Sequence, residues 1–208
     1  MAALIFDLDG TLVDSTESIN RSWRKVCGEL GLDPRAVVGR YHGMTGADTL
    51  RTVRPDLTAQ RVAELNQQLI DGELDDLDGV RATPGARQAL SRLPEGLWAI
   101  VTSCPRQLAA ARLRAAGLAV PAVMVTAEDV EQGKPHPAPY ETGARRLGHH
   151  PGDCLAVEDA PAGVASAVAA GCRVVAIATT HATPAPETVR DLAAMTFRAE
   201  AGGVRVSY

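Results

Sequence analysis

From Ala82 onward, short apolar runs alternate with segments of helical periodicity, and this alternation limits the fold more than any other feature of the chain. Four of the runs are predicted as strands, at 97–101, 122–125, 154–157 and 173–177. The apolar run at 3–6 adds a fifth strand at the N-terminus. Because strands that alternate with helices form parallel βαβ units, we predict an α/β fold with a Rossmann-like, doubly wound parallel sheet.

A long helical stretch interrupts this pattern near the N-terminus. Asp14-Ser15 is typical of a helix start, apolar residues follow at helical spacing, and Gly31 is typical of a helix end. Helical periodicity continues to about Gly79 without a convincing strand. We therefore predict a helical insertion at 15–80 within a core formed by 1–14 and 81–208. The Gly-rich tail after Glu200 predicts no particular element.

Composition narrows the classes of function. The formal net charge is -4 and aromatic residues make up 3% of the chain, so no basic stripe or stacking platform for nucleic acid is present, and we expect a small-molecule ligand. The four cysteines are widely spaced without a C-x-x-C pair, which favours buried free thiols and a reducing, cytoplasmic location. No apolar run reaches the roughly 18 residues of a membrane-spanning helix, so we expect no membrane partner.

Polar residues cluster where the predicted strands end. Three clusters follow strands: Asp7 with Asp9, Thr102 with Ser103, and Glu158 with Asp159. The fourth cluster is Lys134 in Gly133-Lys134-Pro135, which lies in a loop between elements. Because the carboxyl ends of parallel strands lie along one edge of the sheet, we expect these distant residues to converge on one crevice.

The first cluster indicates a charged ligand. Asp7 and Asp9 are two residues apart at the end of a strand, so their side chains face the same side. Two carboxylates held together repel, and a shared proton, a cation or strong hydrogen-bond donors must compensate them. A hard divalent cation such as Mg²⁺ is the simplest compensation, and it is typical of phosphoryl transfer.

Each cluster also has an ordinary structural explanation. An Asp-x-Asp-Gly segment is often a simple turn, and a lone lysine such as Lys134 is usually solvated. Thr102-Ser103 could cap a helix that begins near Arg106, and Glu158-Asp159 could be an acidic helix start. The occurrence of all four clusters in this order favours one active site over four unrelated explanations.

The chain resembles the haloacid dehalogenase superfamily of phosphatases at all four clusters. The matching segments are Asp7-Leu8-Asp9-Gly10-Thr11, Thr102-Ser103, Lys134-Pro135 and Val157-Glu158-Asp159-Ala160-Pro161-Ala162-Gly163. The branch that it looks closest to contains the glycerol-phosphate and 2-deoxyglucose-phosphate phosphatases. This resemblance implies a Mg²⁺-dependent phosphatase that acts on a small phosphorylated sugar or polyol, as a monomer or weak dimer.

The resemblance also implies a role for each cluster. Asp7 is expected to attack phosphorus and form an aspartyl-phosphate, while Asp9 exchanges protons with the leaving group and the attacking water. The implied metal ligands are Asp7, Asp159, Glu158 through water, and the backbone carbonyl of Asp9. The implied phosphate-binding residues are Thr102, Ser103 and Lys134.

The helical insertion at 15–80 resembles the C1 cap of this family, which closes over the site. Its glycine-rich segment at 39–46 is the expected substrate loop, because glycines let the backbone approach a ligand closely. The side chains expected to bind substrate hydroxyls are those of Arg40, His42, Thr45 and Asp48. An ordinary turn between helices remains the alternative.

Two other functions stay open at this point. The phosphosugar mutases share the motifs, but they usually carry a histidine where this chain has Ile19, which favours hydrolysis. A non-catalytic phosphate-binding regulator is the second alternative, and the presence of every expected catalytic group disfavours it. Haloacid dehalogenation is disfavoured by Asp9, and phosphonate hydrolysis by the context of Lys25, the insertion's lysine.

Overall fold

A six-stranded parallel sheet forms the centre of the molecule. The computed structural model describes residues 1–37, 43–179, 183, 185 and 187–208. The strands of the central sheet are β1 (Ala3–Phe6), β4 (Trp98–Val101), β5 (Met124–Val125), β6 (Cys154–Glu158), β7 (Arg173–Ile177) and β8 (Thr188–Val189). Their order is β5-β4-β1-β6-β7-β8, and every neighbouring pair is parallel. The predicted α/β fold and all five predicted strands are confirmed, while β8 is an additional edge strand.

The central strand shows why the sheet is covered on both faces. All four residues of β1 are fully buried. Leu4 and Phe6 belong to the apolar cluster on one face, and Ala3 and Ile5 to the cluster on the other, as expected for alternating side chains. A continuous apolar run therefore encodes a strand with helices on both sides.

The helices occupy two regions of the chain. The core helices are α5 (Ala86–Ser91), α6 (Arg106–Ala115), α7 (Ala138–Arg146) and α8 (Pro161–Ala169). The others are α1 (Thr16–Leu30), α2 (Pro34–Val37), α3 (Gly46–Val53) and α4 (Ala59–Asp75), which we call the helical insertion. Among the described residues, no helix is both long enough and apolar enough to cross a membrane.

The helical insertion has an apolar centre of its own. Its cluster contains Trp23, Leu50, Leu65 and Leu69 from three of its helices. Helix α1 begins and ends where the sequence predicts, and Gly31 after its last turn has φ 66°, the left-handed conformation that glycine adopts without strain. No strand occurs within the insertion in the described part of the chain.

Two short ladders were not predicted from the sequence. Strands β2 (Val13–Asp14) and β3 (Arg81–Ala82) pair antiparallel on the two sides of the insertion. Strands β9 (Thr196–Glu200) and β10 (Gly203–Ser207) form a hairpin, and β10 lies in the tail for which the sequence predicted no particular element. The hairpin is fixed by distant contacts, since the amide of Val204 donates to the Met1 carbonyl at 2.8 Å and Phe197 packs edge-on against Phe6.

All four cysteines are free thiols. Cys27, Cys154 and Cys172 are buried and Cys104 is partly buried. Burial raises the pKa of Cys104 to about 12, so its thiol stays protonated at neutral pH.

Candidate active site

The carboxyl ends of two adjacent strands bring three carboxylates together. Asp7 follows β1, and Glu158 and Asp159 lie at the end of β6, which pairs directly with β1. One carboxylate oxygen from each of the three lies within 4.8 Å of the others. The parallel register therefore creates a compact acidic group from residues about 150 positions apart in the sequence.

Lys134 compensates part of this charge. Its ammonium donates to Asp7 Oδ1 at 2.7 Å, to Glu158 Oε1 at 2.6 Å and to the Val101 carbonyl at 3.1 Å. Burial alone would lower the pKa of Lys134, but Asp7 and Glu158 outweigh it and the net pKa is raised. Lys134 is therefore a buried cation with three acceptors, and the solvated alternative is wrong.

Glu158 is held by four donors. Oε1 accepts from Lys134 and from the Tyr140 hydroxyl at 2.9 Å, and Oε2 accepts from the amides of Asp159 and Ala160 at 2.9 and 3.1 Å. A Cβ atom at Gly163 would lie 1.6 Å from Glu158 Oε1, so the carboxylate occupies space that only glycine leaves open. Burial, followed by the charge of Glu158, raises the pKa of Tyr140 and keeps its hydroxyl as a donor.

The carboxylate of Asp159 also occupies space that a glycine leaves open, in this case a glycine of the turn after β1. A Cβ atom at Gly10 would lie 2.1 Å from Asp159 Oδ2, and Gly10 has φ 94°. Thr11 Oγ1 donates to Asp159 Oδ1 at 3.3 Å, and the hydroxyl of Thr183 donates to the Asp159 carbonyl. The two glycines at these motifs therefore make room for two of the three carboxylates.

The charge balance leaves room for a cation. Lys134 contributes one positive charge to a group that contains three buried carboxylates, so this group carries more negative than positive charge when all three are ionised. Burial raises the pKa of Asp7 well above its ordinary value, and the charges of Glu158 and Asp159 add to the effect of burial against that of Lys134. An all-oxygen donor set with this surplus matches the needs of a hard divalent cation.

Thr102 and Ser103 lie beside the acidic group, at the end of β4. Thr102 is buried, and its hydroxyl accepts from the backbone amide of Cys104 at 3.2 Å. Ser103 Oγ donates to the carbonyl of Gly43, in the helical insertion's connecting loop, at 2.9 Å. The N-cap of α6 is Pro105, which makes no side-chain capping hydrogen bond, so neither Thr102 nor Ser103 occupies the N-cap position. The alternative that Thr102-Ser103 caps this helix is therefore wrong.

Asp9 lies outside the three-carboxylate group. Its Oδ1 accepts from Ser15 Oγ at 2.7 Å, and its Oδ2 accepts from Arg112 Nη1 at 2.7 Å. Arg112 Nη2 donates in turn to Glu73 Oε2. This chain of charges joins the turn after β1 to α6 of the core and to α4 of the helical insertion.

A cavity of about 130 Å³ lies between the insertion and the edge of the sheet. Asp7, Asp9 and Thr102 line its base. The insertion contributes apolar side chains and the polar residues Thr45, Asn66 and Glu73. Burial raises the pKa of Glu73 to about 7, Arg112 offsets part of this effect, and the charge of Asp9 adds to it. The cavity thus joins an acidic base to a mixed polar and apolar roof.

The four residues expected to bind substrate have different outcomes. Arg40 and His42 lie outside the described residues. Thr45 lines the cavity and is the N-cap of α3, where its hydroxyl accepts from the Asp48 amide at 3.1 Å. Asp48 pairs instead with Arg51 at 3.0 Å on the exposed side of α3.

Sequence reasoning missed three residues of the site. Tyr140 supports Glu158, and Arg112 and Glu73 extend from Asp9. The sequence does carry a signal for the last two. Glu73 occupies a position on the buried stripe of α4, and Arg112 occupies one on the buried stripe of α6. Lone charges of opposite sign at apolar positions indicate a buried ion pair.

Comparison with known proteins identifies one family over most of the chain. The family model described as haloacid dehalogenase-like hydrolase matches residues 1–171. Hexitol phosphatase A of Escherichia coli is 43% identical over 182 residues, covering 86% of this chain and 84% of that protein. Glycerol-1-phosphate phosphohydrolase 2 of Saccharomyces cerevisiae is 34% identical over 191 residues, covering 86% of this chain and 75% of that protein.

Solved structures share the fold. A hydrolase from Pseudomonas syringae superposes with a TM-score of 0.82 at 24% identity, covering 93% of this chain and 95% of that one. A β-phosphoglucomutase from Clostridium difficile superposes with a TM-score of 0.81 at 19% identity, covering 93% of this chain and 92% of that one. At these identities the likeness concerns the fold and does not separate hydrolysis from phosphoryl return.

Proposed function

Because the chain belongs to the haloacid dehalogenase-like hydrolase family, we propose that it is a Mg²⁺-dependent phosphatase of small sugar or polyol phosphates. The observation that carries the proposal is the buried group of Asp7, Glu158 and Asp159 with Lys134 bonded to two of them. The names of its similar relatives, a hexitol phosphatase and a glycerol-1-phosphate phosphohydrolase, support a small polyol ester as substrate.

The donor set supports a divalent cation. Asp7 and Asp159 would bind it directly, with Glu158 acting through water and Asp9 through its backbone carbonyl. When bound, Mg²⁺ supplies charge neutralisation for the phosphoryl group during transfer. Lys134 then offsets part of the negative charge and holds Asp7 and Glu158 at fixed positions.

The chain's own residues divide the reaction into two steps. Asp7, with one oxygen held by Lys134, attacks phosphorus through its other oxygen and forms an aspartyl-phosphate. Asp9 gives a proton to the alkoxide as the bond between that oxygen and phosphorus breaks. Asp9 later takes a proton from the water that attacks the same phosphorus, which breaks the bond to Asp7 and releases inorganic phosphate. Thr102, Ser103 and Lys134 would contact phosphoryl oxygens, since Thr102 and Ser103 line the cavity beside Asp7.

The helical insertion would act as the cap of a two-domain enzyme, with 1–14 and 81–208 as core and 15–80 as cap. Its separate apolar cluster and its position between β2 and β3 support this division. Its polar cavity residues would bind substrate hydroxyls and exclude water from the aspartyl-phosphate. Ile19 lines the cavity at the position where the mutases carry a histidine, which supports hydrolysis over phosphoryl return.

Phosphate release from a panel of sugar, polyol and nucleotide phosphates tests the proposal, with Mg²⁺ and with excess chelator. We expect release from sugar or polyol phosphates that the chelator abolishes. Asp7→Asn and Asp9→Asn should each lower turnover by at least about a hundredfold while the far-UV circular dichroism spectrum is unchanged. Near-normal turnover in either variant would contradict the mechanism. An isomeric sugar phosphate that accumulates without phosphate release would assign the chain to the mutases.

A further inference from the structure

Two opposite charges are buried where the helical insertion contacts the core. Glu73 of α4 has a side chain that is 9% exposed, and Arg112 of α6 one that is 2% exposed. Both occupy positions on the buried stripes of their helices. A well-packed hydrophobic pair at such a contact is often as stabilising as an ion pair or more so, because charges lose hydration on burial. Packing alone therefore does not account for this choice of residues.

Arg112 joins Glu73 to Asp9 through one rigid group. Nη1 donates to Asp9 Oδ2 at 2.7 Å and Nη2 donates to Glu73 Oε2. The guanidinium is planar, so the direction of one nitrogen determines the direction of the other. Its Nε is buried without a hydrogen-bond partner among the described residues, so the group is held through its two terminal nitrogens. The position of Glu73 therefore determines the orientation of the Arg112 nitrogen that donates to Asp9.

We propose that Arg112 is a positioning residue that orients the Asp9 carboxylate, and that Glu73 of the helical insertion sets the orientation of Arg112. The inference rests on the proposed function, in which Asp9 transfers protons. Ser15 Oγ holds the other Asp9 oxygen at 2.7 Å, so both oxygens have a fixed donor. Proton transfer by Asp9 thereby depends on the contact between the insertion and the core.

The geometry favours positioning over substrate binding. Both terminal nitrogens of Arg112 already donate to carboxylates, and the side chain is almost completely buried. A residue that acts only through Asp9 changes the rate of proton transfer and leaves the affinity for substrate unchanged. Loss of Arg112 should therefore lower kcat and leave KM nearly unchanged.

The test uses two phosphate esters. Glycerol 1-phosphate has an alkoxide leaving group that requires a proton, and p-nitrophenyl phosphate has a phenolate that leaves without one. For Arg112→Met we expect kcat on glycerol 1-phosphate to fall about a hundredfold, as for loss of general acid catalysis, with KM within about threefold. The fall in kcat/KM on p-nitrophenyl phosphate, which reports the first step alone, should stay below about tenfold. Arg114→Met, an exposed position on the same helix, is the matched control.

A double-mutant cycle tests the part played by Glu73. Glu73→Leu should lower kcat on glycerol 1-phosphate by about tenfold, and the double variant should be no slower than Arg112→Met, because both changes act through one interaction. Independent, multiplying losses would overturn the proposal. So would a rise in KM at constant kcat, which would make Arg112 a substrate-binding residue.

Failure of the inference is distinguishable from failure of the proposed function. Wild-type kcat in Arg112→Met with an inactive Asp9→Asn enzyme would overturn the role of Arg112 alone. An active Asp9→Asn enzyme would overturn the proposed mechanism itself. Should Arg112→Met fail to fold, Arg112→Lys tests the positioning role in its place. A lysine retains the charge but cannot bridge both carboxylates as a planar fork. A folded Arg112→Lys enzyme with wild-type kcat would refute the positioning role, and a reduced kcat at constant KM would support it.

Discussion

Replacing Lys134 by methionine should destabilise the protein more than any surface substitution. Its ammonium lies 2.7 Å from Asp7 and 2.6 Å from Glu158, and the side chain is 1% exposed. Methionine is similar in length, so the change removes the charge while leaving most of the packing. The variant keeps the buried carboxylates without their cation.

The structure sets the size of the effect. Removing one partner of a buried ion pair costs about 3–5 kcal/mol, because the remaining charge is uncompensated. For a chain of 208 residues this loss corresponds to a fall in Tm of about 10 °C. Lys25→Met is the matched control, because Lys25 is exposed and its replacement should change stability by less than about 0.5 kcal/mol.

Urea unfolding in the presence of chelator measures the loss without a metal that could replace the lost charge. The pKa of Lys134 is raised above 10.5, so its contribution is fully present below pH 10.5 and is lost as pH rises through the folded-state pKa. Because burial already raises the pKa of Asp7, protonation of Asp7 relieves part of the cost, and the loss should be smaller at about pH 5 than at about pH 8. A Lys134→Met protein within about 1 kcal/mol of wild type at pH 8 would refute this electrostatic reasoning.

Three further predictions concern neighbouring parts of the site. Gly163→Ala should lower both Tm and activity, because its Cβ would lie 1.6 Å from Glu158 Oε1. Gly28→Ala, with open space around its Cβ, is the control and should not destabilise the protein. Equal effects of the two changes would contradict the conclusion that Glu158 needs a glycine at position 163. Burial raises the pKa of Glu73 from 4.5 to about 7, so its contribution to stability is fully present below pH 4.5 and lost as pH rises through about 7. The stability of wild type relative to Glu73→Gln should therefore fall by on the order of 3 kcal/mol over that range, and a pH-independent difference in urea unfolding would disprove the shift. Mg²⁺ at about a hundred times its Kd should raise the free energy of unfolding of the wild type by about 2.7 kcal/mol. An equal increase in Asp159→Asn, measured by urea unfolding, would place the cation elsewhere.

The central sheet was predictable because its strands are encoded locally. β1 and β7 match the predicted ranges residue for residue, since each is a short apolar run next to a helix with a clear end. The ladder of β2 with β3 and the hairpin of β9 with β10 escaped prediction, because two-residue strands and a Gly-containing tail carry no periodicity. Their partners, such as Met1 for Val204, are decided by the folded chain.

The sequence by itself determined the chemical groups of the site and the edge at which they meet. Polar residues that directly follow strands of a parallel sheet must converge, so the strand pattern alone is enough to bring Asp7, Thr102 and Glu158 together. Only the tertiary structure decided which charges pair. The bond of Lys134 to both Asp7 and Glu158, and the path from Asp9 through Arg112 to Glu73, join residues on different elements. Electrostatic pairing depends on distances of a few ångströms and on burial, and neither is encoded in local periodicity.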